Sequence, residues 1–168
     1  LLMAIGAFAS NLKWLGFERG YGKDDQMLWM VSLSILCDVS EDDFKAVTDV
    51  LKRDGANDRL LSFLIKSKRS DWEDSSAAVI QQSPYAIAGQ IAGETYEAKG
   101  IDAIKNYLQN DWYKGNGDAP WHDSHNNKRV DSYFGYWAWE TAAIVKIKGW
   151  NDEKLKDVNY YPYDAVHW

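Results

Sequence analysis

Tyr133-Phe134-Gly135-Tyr136-Trp137-Ala138-Trp139-Glu140-Thr141-Ala142-Ala143-Ile144-Val145-Lys146-Ile147-Lys148-Gly149-Trp150 is the stretch on which the fold turns. Helical spacing puts Tyr133, Trp137, Glu140 and Ile144 on one face, and Tyr136, Trp139, Ala143 and Ile147 on its neighbour. With both faces apolar, the predicted helix needs neighbours on more than one side, so it suits a central position among other helices. Asp131-Ser132 stand where a cap belongs, and Gly149 supplies the stop. Glu140 is the one acid in this apolar setting, and if buried it must be hydrogen-bonded.

Working outward, the remaining signals are also helical. Asp24 or Asp25 can cap a helix whose Met27, Met30, Val31, Ser34 and Ile35 recur at helical spacing. Ser40-Glu41-Asp42-Asp43 opens the next, with Phe44, Val47, Val50 and Leu51 along one face and Gly55 as its stop. Asn57 is the expected cap of a helix carrying Leu60, Leu61, Leu64 and Ile65. Residues 66–83 are polar and read as a loop around Trp72. Ser83-Pro84 starts a helix expected to reach Ala98 and stop at Gly100, followed by another over Ile101–Tyr113. Residues 114–129 read as irregular. No alternation of strand type appears, and no repeat recurs at a fixed period. The expected fold is all-α, one compact domain of about six to eight antiparallel packed helices.

Composition narrows the function classes. The chain has 168 residues, 46% of them hydrophobic and 14% aromatic with nine Trp, enough for a substantial core. Twenty-five acidic against 19 basic residues give a net charge of −6, which disfavours direct nucleic-acid binding and favours a basic partner. A single cysteine, Cys37, excludes an internal disulfide and falls where a small buried residue belongs. The nearly uncharged run Leu1–Leu12 is too short to span a bilayer and has no basic leader, so it reads as a packed helix. The chain does not begin with Met, so an upstream segment is expected. No membrane association and no cofactor are expected.

Five motifs occur in an order that resembles a known family. They are Met27-Leu28-Trp29-Met30-Val31-Ser32-Leu33-Ser34-Ile35-Leu36 with Leu60-Leu61-Ser62-Phe63-Leu64, then Tyr107-Leu108 with Trp112-Tyr113-Lys114-Gly115. Next come Trp121-His122-Asp123-Ser124-His125, then Tyr133–Glu140, and the closing Tyr160-Tyr161-Pro162-Tyr163-Asp164-Ala165-Val166-His167-Trp168. Over residues 25–168 the chain is similar to the C-terminal domain of PoNi-type immunity proteins, which protect bacteria from PoNe-type DNase toxins. Trp139 stands where that family often has Phe. The resemblance makes residues 21–168 the immunity domain and residues 1–20 the last helix of a mostly missing N-terminal region. It implies a cytoplasmic protein that binds and blocks a co-encoded DNase toxin in a tight complex, without catalysis.

Candidate sites follow from residue chemistry. His122, His125 and Glu140 are types that Zn²⁺ or Mn²⁺ would use in a metal-dependent hydrolase, although the helical His-Glu-x-x-His motif is absent. The competing and preferred reading is a structural polar network of His122, His125, Glu140 and Asp164, with histidine, Trp121 or a tyrosine hydroxyl as donors. Pro162 and Asp164 suggest a capped final turn that tucks Val166 and Trp168 into the body. A helical scaffold is a third reading. For toxin contact the acidic clusters are preferred, since residues 38–80 hold ten acids and seven bases. Glu41, Asp42 and Asp43 have a sufficient explanation at a helix start. Asp71, Trp72, Glu73 and Asp74 do not, and an exposed Trp flanked by acids could anchor in a basic cleft.

Overall fold

Helices with short turns between them make up the computed structural model of the chain, which describes residues 23–53, 58–73, 84–126 and 135–168; no strand occurs among these. The all-α expectation holds. Helix α1 (Lys23–Leu36) buries Met27, Leu28, Val31, Ile35 and Leu36. Asp38, at φ 46°, turns the chain, and Lys68 ties that turn down through Asp38 Oδ1 at 2.6 Å and the Val39 carbonyl at 3.1 Å. Helix α2 (Glu41–Arg53) opens at Ser40 as expected: the Asp43 N–H donates to Ser40 Oγ, whose hydroxyl donates to Asp43 Oδ2. Helix α3 (Arg59–Lys66) is capped by Asp58, which accepts from the Leu61 N–H at 2.8 Å, one residue past the expected Asn57. Gly55 and Asn57 lie outside the described residues, as do residues 1–22. Asp24 and Asp25 fall inside α1 rather than at its cap.

Helix α4 (Tyr85–Ala92) begins just after Pro84, and α5 (Glu97–Tyr107) follows it. The single long helix expected to Ala98 is therefore two helices. Gly93 ends the first, and Glu94 Oε1 accepts from the N–H groups of Thr95 and Tyr96 at 2.8 and 2.9 Å, organising the entry to the second. Gly100 is not a stop but lies inside α5, because the Trp150 ring sits against it; a Cβ there would come 2.1 Å from Trp150 Cη2. Beyond Tyr107 the helix widens into a π turn (Leu108–Trp112) and closes with one α turn (Tyr113–Gly115).

Helix α6 (Trp139–Lys148) is the centre of the fold: Glu140, Thr141, Ala142, Ala143, Ile144 and Val145 are all buried. It packs against α1, α3 and α4, and against the short α7 (Tyr163–Val166). The central position was expected, but the start was not. Residues 135–138 are non-helical: Gly135 adopts φ 79°, and the Ala138 N–H donates across to the Tyr160 carbonyl at 2.9 Å. That bond takes the backbone away from the helical pattern, so Trp137 and Tyr136 precede α6 and the continuous faces drawn from Tyr133 do not form. Asp131, Ser132 and Tyr133 lie outside the described residues. Gly149, at φ 64°, closes the helix as expected. Cys37 is partly buried and packed on the core, and burial pushes its thiol upward. Among the described residues no helix is long and apolar enough to cross a membrane.

The Gly100–Trp150 contact leaves no room for a methyl group. Gly100→Ala is expected to destabilise the fold by ~1–3 kcal/mol through overpacking, read as a lower urea midpoint. An unchanged midpoint would show that the ring moves freely.

Candidate functional site

The acidic loop after α3 is organised by one cation. Arg69, itself buried, donates from Nε to Asp71 Oδ1 at 3.1 Å and from Nη2 to Asp71 Oδ2 at 2.7 Å. Its Nη1 donates to Asp49 Oδ1 at 2.6 Å and to Thr48 Oγ1 at 2.8 Å, and the guanidinium lies 5.7 Å over the Trp72 ring. Trp72 is only 5% exposed and belongs to the hydrophobic core. The expected exposed anchor is thus corrected: the ring faces inward because Arg69 and the core hold it there. Asp71 is exposed, yet both its oxygens are taken by Arg69; those bonds hold its carboxyl down at about 2. Glu73 is exposed, and Asp74 lies outside the described residues. Glu41, Asp42 and Asp43 are exposed on the first turn of α2, with Asp43 engaged at the cap.

The residues grouped as a polar network fall in separate places. Glu140 is fully buried and accepts from the Tyr107 hydroxyl at 3.3 Å, one of the donor types expected for it. Complete burial, then the Glu140 charge, push the Tyr107 hydroxyl well above its ordinary value. His122 lies against Tyr113, ring centroids 4.2 Å apart, and Tyr113 donates to Asp123 Oδ1 at 2.7 Å. His125 is exposed and meets the Tyr136 hydroxyl through Nδ1 at 2.6 Å. Asp164 is exposed in the first turn of α7, which has no side-chain cap. No group of three or more His, Cys, Asp or Glu is placed to hold a metal ion among the described residues.

Sequence reasoning missed the surface that the C-terminal segment forms. Tyr160, at φ 71°, turns the chain back over the start of α6. Tyr161 donates to the buried Asp152 at 2.8 Å, and His167 Nε2 lies 3.1 Å from the other oxygen of that carboxylate. Burial, then the hydrogen bond to Asp152, raise the Tyr161 hydroxyl. Trp168, expected to tuck into the body, is 62% exposed instead. Together with Trp137 and Trp139 the segment walls an open groove of about 810 Å³. The signal was present as aromatic density at 133–139 and 160–168, but alone it reads equally well as core.

Comparison with known proteins adds one finding. Residues 56–165 match the family described as PoNe immunity proteins (PoNi), C-terminal, a span that takes in α3 through most of α7. No curated protein and no solved structure matches the chain.

The Arg69 cluster has a pH signature. Asp71 titrates lower folded than the ~3.9 of an unfolded aspartate, so its contribution is complete above that value and disappears as pH falls through about 2. Arg69→Met is expected to lower Tm at neutral pH by roughly 2–8 °C and to flatten the loss of stability between about pH 4 and pH 2. Urea midpoints measured across that range check it; parallel curves for the two proteins would count against the pairing.

Proposed function

We propose, from the premise that this chain belongs to the family of PoNe immunity proteins through its C-terminal domain, that it binds a cognate DNase toxin and neutralises it in a tight stoichiometric complex. The match over residues 56–165 is the observation that carries this reading. The physical properties of the chain agree with it. A net charge of −6 suits a partner whose DNA-binding surface must be basic to meet phosphates. Occupying or shielding that surface denies DNA its contacts. Opposite charge speeds the encounter, while well-packed apolar contacts slow dissociation.

The site of action in this reading is the cytoplasm, where an incoming nuclease would reach DNA. Residues 21–168 serve as the toxin-binding unit, and the acids at Glu41, Asp42, Asp43, Asp71 and Glu73 contribute to electrostatic attraction. Trp72 does not serve as an anchor, being buried. The protein acts by binding and needs no cofactor. Nothing in the surroundings of His122, His125 and Glu140 favours a hydrolase, since Glu140 is enclosed with Tyr107 and His125 is exposed beside Tyr136.

Titrating the protein into a DNA-cleavage assay of the nuclease encoded beside it tests the reading. Cleavage is expected to stop near one-to-one stoichiometry, and the association rate is expected to fall as salt rises from about 50 to 300 mM. Undiminished cleavage at excess protein would contradict the function. Inhibition with salt-independent association would contradict only the electrostatic part.

A further inference from the structure

Three large hydrophobic side chains are exposed among the described residues, Tyr96, Trp137 and Trp168, and two of them line one groove. Scattered apolar residues at a surface are ordinary, but two tryptophans converging on one concavity are not. Trp137 is also held in place rather than free to sweep. Its indole lies against Gly135, where a Cβ would come 2.4 Å from Trp137 Nε1, and its ring is 6.3 Å from that of Trp139. The next residue, Ala138, is fixed by its bond to Tyr160. An aromatic fixed in one orientation gives up little entropy on binding, which is what an interface anchor requires.

The C-terminal segment that lines the groove is held as well. Tyr160 is a non-glycine residue at φ 71°, a conformation that persists only where surroundings enforce it. Asp152 pins the segment through Tyr161 and His167, and Glu153 accepts from the Tyr163 hydroxyl at 3.1 Å.

Charge at the rim selects the occupant. Asp157 and Asp164 line the groove, are exposed, and have no ion-pair partner among the described residues. The one cation among the described lining residues, Lys156, lies 5.6 Å over the Tyr163 ring. The groove therefore offers aromatic walls and two uncompensated carboxylates.

We propose that this groove is a docking surface for the toxin, resting on the function proposed above, and that it takes a toxin segment presenting an aromatic or aliphatic side chain beside a lysine or arginine. The apolar side chain enters between Trp137 and Trp168, and the cation meets Asp157 or Asp164. A nuclease with a basic DNA-binding surface supplies such segments. The acids at α2 and beside Arg69 steer the approach, while this groove supplies the short-range contacts.

Affinity of the purified chain for the nuclease encoded beside it, measured by calorimetry and by association kinetics, tests this. Trp137→Ala and Trp168→Ala are each expected to raise Kd at least tenfold; Tm should be unchanged for Trp168→Ala, whose ring is 62% exposed, and lowered slightly for Trp137→Ala, which gives up its packing beside Gly135 and Trp139. The Asp157→Lys, Asp164→Lys double variant is expected to slow association and weaken its salt dependence. Tyr96→Ala, outside the groove, is expected to bind within twofold of the parent. If the parent binds and the groove variants bind equally well, the groove proposal is overturned and the immunity function stands. If the parent does not bind, both fall. Should the tryptophan variants instead dissolve a homodimer while toxin affinity holds, the occupant is a second copy of the chain and the proposal is again overturned.

Discussion

A helix buried on nearly every side can send a polar side chain only to partners within the protein, and α6 meets that constraint with groups from three neighbouring segments. Glu140 accepts from Tyr107 on α5. Lys146 donates to the Leu36 carbonyl at the end of α1, and Lys148 to the Glu94 carbonyl in the turn between α4 and α5, each at 2.6 Å. Both amines thus supply donors to carbonyls that no helical bond satisfies. Thr141 closes locally on the Ala138 carbonyl. The three bonds to neighbouring segments fix which helix ends meet α6, so placing the central helix places most of the others.

An aromatic layer extends that arrangement towards the surface. Trp112 stacks on Trp121 at 5.5 Å and lies 5.2 Å from Tyr160, while Tyr113 stacks on Tyr160 with planes 3° apart. The π turn at Leu108–Trp112 carries Trp112 into this layer, and Tyr136 and His125 close its outer side. Tyr160 therefore has two roles: its ring sits in the layer, and its carbonyl holds Ala138. Through it the loop between α5 and α6, the start of α6 and the C-terminal segment become one surface. The groove with Trp137 and Trp168 is the exposed edge of that surface.

How much of this could be read in advance depended on the range of the interaction. Amphipathic periodicity located α1, α2 and α3, because each places an apolar face on the core, and α2 and α3 also cap themselves nearby, through Ser40 and Asp58. The central role of α6 was readable from apolar residues on more than one side of it, although the faces drawn from Tyr133 do not form. Its true start was not, since the bond that ends the helical pattern comes from Tyr160, 22 residues away in sequence. Gly100 misled for the same reason: a glycine that makes room for Trp150 looks, in sequence, like a stop. Trp72 misled because its acidic neighbours suggested exposure, whereas a buried arginine was drawing Asp71 in and holding the ring. The five ordered motifs pointed to the immunity family, and the span 56–165 bears out that membership. They did not single out the groove, because aromatic residues of a core and of an interface have the same composition.

The central claim is protection through binding, and the most direct measurement is survival. The nuclease encoded beside this chain would be expressed in a bacterial host with and without the chain, and viability and chromosomal integrity would be followed. The account predicts that cells making both proteins grow with intact DNA, while those making the nuclease alone die with degraded DNA. Equal killing with the chain present, soluble and in excess would contradict it.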